Sequence, residues 1–233
     1  MAFNFSPKTV TDGLVFCLDA ANPKSIISGS NTWTDISKNS NNGTLTNGPT
    51  YSASNNGSIV FDGVNDYVSV PNNSSVNIST NTISFGGWFN TTRSPNGGAN
   101  YQLLIGKSTG ASRQYCIFLS AVNTSNIYIT LTGTSWTQTN VILTTPWAIN
   151  TWNHIMLVYN GSTFKIYLNG SVVNSTVATG NITAQNYDVK IGYDPYEAYS
   201  FAGNIALTQI YNRALSATEI LQNYNATKTR FGL

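Results

Sequence analysis

Two closely spaced Asn-Gly pairs, Asn160-Gly161 and Asn169-Gly170, constrain this chain more than any other feature. They divide three β-rich runs between Thr151 and Asn174. Asn-Gly suits a tight hairpin, because a type I′ turn needs positive φ at both central residues. The reading is a three-stranded antiparallel meander over Trp152–Tyr159, Thr163–Leu168 and Ser171–Asn174. In the middle run Phe164, Ile166 and Leu168 share one face, expected to be core. Lys165 and Tyr167 share the other, expected to be wet. The first run is apolar on both faces, Ile155 and Leu157 against Met156 and Val158, so it should lie centrally under a cover.

The rest of the chain agrees with an all-β reading. Its 233 residues suit one large sandwich domain. Charged residues make up only 9%, and Asn, Ser, Thr and Gly supply the surface polarity, as turns and strand edges prefer. The net charge is +2 with no basic cluster, which argues against a nucleic-acid partner. No apolar run approaches a membrane span. Met1–Pro7 lacks the basic and apolar regions of a secretory signal. Further strands are expected at Leu14–Leu18, Ser58–Phe61, Asp66–Val70, Ile83–Phe89, Tyr101–Lys107, Gln114–Ser120, Asn126–Thr132, Val189–Gly192 and Gly203–Tyr211. The core should include Trp88 and Phe61. Cys17 and Cys116 read as buried thiols; pairing of the two is left open. One helix is signalled: Ser216-Ala-Thr-Glu219 is a capping box, followed by Ile220 and Tyr224 on one face. The helix should pack on the sandwich edge.

Several blocks resemble a known family. They include Gly13-Leu-Val-Phe-Cys-Leu-Asp19, Trp33-Thr-Asp35, Ser58-Ile-Val-Phe61-Asp62-Gly63-Val-Asn-Asp66-Tyr67, Trp152-Asn-His154, Tyr167-Leu-Asn169-Gly170 and Tyr211-Asn-Arg213-Ala-Leu-Ser216. These are similar to concanavalin A-like, laminin G-type domains of phage and bacterial surface proteins. The resemblance implies a jelly-roll β-sandwich of two antiparallel sheets, about six or seven strands each, with a short C-terminal helix. It divides the chain into an arm (1–12), the sandwich (13–226) and a tail (227–233). Ile205-Ala206-Leu207 stands where many relatives carry an acidic pair. This weakens a calcium site carried over by analogy; calcium is the one ion left open, and no cofactor is expected.

The same fold hosts glucanases, whose paired carboxylates sit on alternate residues of one strand. The nine acids are Asp12, Asp19, Asp35, Asp62, Asp66, Asp188, Asp194, Glu197 and Glu219, and no two are separated by a single residue. The expectation is therefore no enzyme. The lone His154 reads as a sheet histidine with a satisfied nitrogen, and Asp62 and Asp66 as turn formers. Two loops are candidates for glycan or partner contact. One carries Tyr193, Asp194, Tyr196, Glu197 and Tyr199, whose rings either stack on sugars or tuck into the rim. The other presents Trp136, either a rim plug or an exposed anchor. Phe3, Phe5 and Phe231 are candidates for an assembly arm, against the alternative that the N-terminal pair extends a strand of its own sandwich. The leading expectation is a virion protein, on the capsid or the tail, assembled in the host cytoplasm. It would be a homo-oligomer, a trimer by first choice, that contacts other virion proteins and host glycans but no membrane. A stand-alone lectin-like adhesion module is the alternative, ahead of a glucanase.

Overall fold

The structure, a computed structural model, describes residues 7–93, 101–109, 112–120, 126–134, 138–143 and 146–233. In chain order the strands are β1 Leu14–Asp19, β2 Thr32–Trp33, β3 Gly43–Thr46, β4 Thr50–Ser52, β5 Ser58–Asp62, β6 Tyr67–Val70, β7 Ile83–Thr91, β8 Gln102–Thr109 and β9 Ser112–Leu119. They continue as β10 Asn126–Leu131, β11 Gln138–Ile142, β12 Asn153–Tyr159, β13 Thr163–Leu168, β14 Ser171–Val177, β15 Val189–Ile191, β16 Tyr193–Asp194, β17 Tyr199–Ser200 and β18 Ala202–Tyr211. The one α-helix among the described residues, α1, spans Ala217–Thr227. The first sheet runs β14-β13-β12-β7-β18-β5-β4, with β1 also on β18; the second runs β11-β10-β9-β8-β15-β6-β3-β2. Each therefore has eight strands, more than the six or seven expected. β16 and β17 form a separate ribbon.

The meander forms as the sequence implies, with β12, β13 and β14 in antiparallel register. Its two turns differ. Asn169 and Gly170 both hold positive φ (50° and 81°), as a tight primed turn requires. At the other turn Gly161 alone is left-handed. There the Asn160 side chain closes the loop, accepting from the amides of Ser162 (3.1 Å) and Thr163 (2.9 Å).

The core between the sheets alternates along each strand. Phe85 and Phe89 of β7, Ile155 and Leu157 of β12, and Phe164 and Ile166 of β13 meet Tyr115 and Ile117 of β9 and Val68 of β6. Phe61 and Leu168 are buried there too. Trp88 is wholly buried as expected, but on the other side of its sheet.

That outer face of the first sheet is covered by the C-terminal segment. Met156, Val158 and Tyr167 pack with Leu215 and Ile220. So α1 lies across the sheet face, not on the edge, and Tyr167 is covered instead of wet. The helix starts at the expected box: Ser216 Oγ accepts from the Glu219 amide (3.2 Å), and Glu219 Oε2 from the Ser216 amide (2.8 Å). Past the helix, Phe231 lies against Trp88 (ring centroids 4.3 Å apart) and Trp152 (4.5 Å). Arg230 pairs with Asp19 at 2.8 Å. Phe231 therefore folds onto its own sheet, into an aromatic stack with Trp88 and Trp152, where it is half-buried. The N-terminal segment does likewise where described: the Val10 amide donates to Asn223 Oδ1 (2.7 Å), and the Tyr211 hydroxyl to the Val10 carbonyl (3.0 Å). Phe3 and Phe5 lie outside the described residues.

His154 faces the same stack, 5.1 Å from the Trp88 ring. Contrary to expectation, neither of its ring nitrogens has a partner among the described residues. Burial holds its pKa down to about 3, so the neutral ring sits among aromatics. Cys17 and Cys116 are free, buried thiols.

Candidate functional site

Strand alternation puts a second set of aromatic rings outside the core. On β9, Tyr115, Ile117 and Leu119 face inward, which sends Phe118 to the outer face of the second sheet, with Leu103 and Cys116. On β10, Ile127 and Ile129 face inward, so Tyr128 stands outward. Tyr101, just before β8, comes within 5.1 Å of Tyr128 (ring centroids). Tyr199 of the ribbon completes the group, 5.3 Å from Tyr101 and edge-on to Phe118 at 5.5 Å. Phe118 is buried beneath, and the three tyrosines are half-exposed.

A charged pair borders these rings. Arg113, 5% exposed, stands over Phe118 at 5.2 Å and pairs with Glu197 at 3.3 Å. Burial pushes the Tyr128 hydroxyl above its usual pKa, with Arg113 pulling the other way. Burial and the Glu197 carboxylate both push Tyr199 up. Both hydroxyls therefore remain protonated and able to donate. Flat rings with hydroxyl donors and a carboxylate acceptor at the rim suit a polar, flat-faced ligand.

The candidate loop splits in two. Tyr199 and Glu197 join the rings just described, and Tyr196 is 64% exposed at the ribbon tip. Tyr193 instead approaches Tyr67, at 6.1 Å, and Lys190 lies over Tyr67 at 5.2 Å. Asp194 does not face a ligand. It is wholly buried, accepting from the Ser108 hydroxyl (2.9 Å) and the Tyr196 amide (3.0 Å). Its carboxylate anchors the ribbon to β8, which accounts for an acid in that position. Trp136 lies outside the described residues. Sequence reasoning missed Tyr101, Phe118, Tyr128 and Arg113. The available signal was Tyr128 between two isoleucines, a polar-tipped ring in the outward register.

The other acids have structural partners. Asp35 accepts from the amides of Cys17 (2.9 Å), Ser37 (2.8 Å) and Asn41 (2.9 Å), and from the Ser37 hydroxyl (2.7 Å). Asp62 accepts from the Val64 amide and Asp66 from the Asp62 amide, the turn-forming role expected of them. Among the described residues no three His, Cys, Asp or Glu side chains gather as a metal group, and no helix is long and apolar enough to cross a membrane.

Two eight-stranded antiparallel sheets with a ring-lined outer face define a jelly-roll sandwich of the lectin type. The chain belongs to the concanavalin A-like lectin/glucanases superfamily, whose laminin G-type model matches residues 62–221. No curated protein matches the sequence. Among solved structures, domain 4 of the extracellular arabinanase AbnA from Geobacillus stearothermophilus, in complex with arabinotriose, superposes with a TM-score of 0.70 at 16% identity. The match covers 92% of this chain and 100% of that one. The binding domain of Paraclostridial Mosquitocidal Protein 1 gives 0.68 at 20% identity, covering 92% of this chain and 52% of that one. The botulinum neurotoxin serotype D ligand binding domain with N-acetylneuraminic acid gives 0.67 at 16%, covering 92% and 51%. This chain thus spans about half the length of those toxin domains. At these identities the likeness is one of fold.

Proposed function

We propose that this chain is a non-catalytic glycan-binding module that takes a sugar chain on the outer face of its second sheet. The observation that carries the reading is the group of Tyr101, Tyr128 and Tyr199 around Phe118, bordered by the Arg113–Glu197 pair. Tyrosine faces stack on the C–H face of a pyranose or furanose, while their hydroxyls and Glu197 serve the sugar hydroxyls. Structures of the same fold in complex with arabinotriose and with N-acetylneuraminic acid support it. The absence of a catalytic role is supported by the carboxylates themselves. Asp35 accepts four hydrogen bonds, Asp194 is wholly buried and accepts two, and Glu197 and Glu219 are held by arginines.

A glycan array followed by calorimetry on the full chain tests the reading. Tyr101→Ala and Tyr199→Ala are expected to weaken binding about tenfold each, some 1.4 kcal/mol, with the melting temperature little changed. Equal affinities in the variants, or no glycan bound across the array, overturn it. The virion setting expected from the sequence resemblance, with an oligomeric particle protein contacting host sugars, is compatible with this module. Co-sedimentation with intact virus particles at stoichiometric copy number tests that setting separately.

A further inference from the structure

The charged pair beside the tyrosines does not present its two members alike. Arg113 is 5% exposed and Glu197 35%, with Arg113 Nη2 lying 3.3 Å from Glu197 Oε1. The guanidinium stands over the Phe118 ring, and its Nε is buried without a hydrogen-bond partner among the described residues. Little of the cation is left for a ligand to touch, whereas the carboxylate opens to solvent. Both act on the rings. Beyond burial, which raises the Tyr128 and Tyr199 hydroxyls, Arg113 lowers them and Glu197 raises them. Neighbouring charges along the ribbon and β15 are engaged elsewhere. Asp194 is buried against Ser108. The Lys190 ammonium donates to Ser69 (2.6 Å) and Asp188 (3.2 Å), and Arg93 to the Ser200 carbonyl (2.9 Å). Residues 94–100, 110–111, 121–125, 135–137 and 144–145 contain no Asp, Glu, Lys or Arg, so they add no side-chain charge.

We infer that Glu197 makes the tyrosine face selective for neutral sugars over acidic ones, with Arg113 as the buried residue that positions it. The inference rests on the glycan-binding reading above and names its ligand class. An ionised carboxylate only accepts hydrogen bonds, and sugar hydroxyls donate them. A uronate or sialate carboxylate also only accepts, and it brings a like charge to a surface where rings have displaced part of the screening water. To reach Arg113 instead, it would have to displace Glu197 and break an ion pair whose cation is buried, which is costly. Selection therefore comes from repelling the wrong ligand as much as from holding the right one.

An array of neutral oligosaccharides, uronates beside their methyl esters, and sialosides, probed with the full chain near neutral pH, tests the inference. The chain is expected to hold neutral sugars and methyl esters at least about tenfold more tightly than the free acids. Glu197→Gln keeps the shape and removes the charge, and should close most of that gap. Salt should close it too in the unmodified chain. Going from about 0.01 M to about 1 M shortens the Debye length from roughly 30 to 3 Å, and acidic ligands should gain while neutral ones hold steady. Acids bound as tightly as their esters, or a preference unmoved by both the substitution and salt, overturns the inference and leaves the glycan-binding module standing. A chain that binds no sugar on the array overturns the module and the inference together.

Discussion

Replacing Trp88 by alanine removes the ring on which the C-terminal segment closes. The side chain is wholly buried, with Phe231 at 4.3 Å, His154 at 5.1 Å and Tyr224 stacked at 5.6 Å. Its indole Nε1 donates to the Thr227 hydroxyl at 2.7 Å. Large aromatic truncations in a packed site cost about 3–5 kcal/mol. The ring geometry and the hydrogen bond place this one near the upper end, each adding about 1 kcal/mol. For a chain of this length the unfolding entropy is roughly 0.5 kcal/mol per kelvin, so the melting temperature should fall by roughly 8–10 °C. Trp88→Phe keeps most of the packing and loses the hydrogen bond, and should cost about 1–2 kcal/mol. Urea unfolding gives both values. Hydrogen exchange of the α1 amides should accelerate in the alanine variant, because the helix loses its floor. A loss under about 1 kcal/mol would refute the reasoning: the segment from Ser216 onward would then be no part of the cooperative unit.

His154 makes stability depend on pH in a defined window. Its folded pKa is depressed to about 3 from an ordinary 6.5, so the unfolded chain takes up the proton first as pH falls. The stabilisation is fully present above 6.5 and drains away below it, by about 1.4 kcal/mol per pH unit. Between pH 7 and 5 the chain should lose roughly 2 kcal/mol from this group, and His154→Leu should flatten that slope; equal slopes in urea melts would refute the assignment. Asp35→Asn turns one acceptor of a saturated carboxylate into a donor facing amide N–H groups. It should cost at least about 2 kcal/mol, measured by the same unfolding curves, and a neutral outcome would mean the loop from Thr34 to Asn41 is held by other contacts.

The meander, the capping box and the two-faced β12 were legible because each rests on local chemistry. Asn169-Gly170 accepts positive φ, Ser216 and Glu219 satisfy each other's amides, and Met156 with Val158 could not be left in water. What escaped was decided by pairings distant in sequence. Trp88 and Phe164 look alike as large residues in apolar strands, yet one faces the partner sheet and the other the C-terminal helix. Lys107 gave no sign of being wholly buried. It is so because β8 sets it in register with Val189 and Tyr115, where Asn72 and the Tyr187 carbonyl receive its ammonium.

The same limit explains the candidate site. A single loop with three tyrosines and two acids looks self-contained in sequence, but the ribbon gives its members different tasks. Asp194 turns in to Ser108 and fixes the ribbon; Tyr199 turns out to meet Tyr101 and Tyr128. A binding surface on an antiparallel sheet is built across strands, at spacings of about 5 Å set by the backbone ladder. Its residues come from Tyr101, Arg113, Phe118, Tyr128 and Tyr199, each in a different sequence setting. Each contributes one outward position of an alternating strand or one ribbon end, which on its own reads as ordinary sandwich packing. The grouping becomes visible only when β8, β9 and β10 are laid side by side. A module of this family can therefore keep its fold-specifying blocks while the outward tyrosines change with little cost to the core.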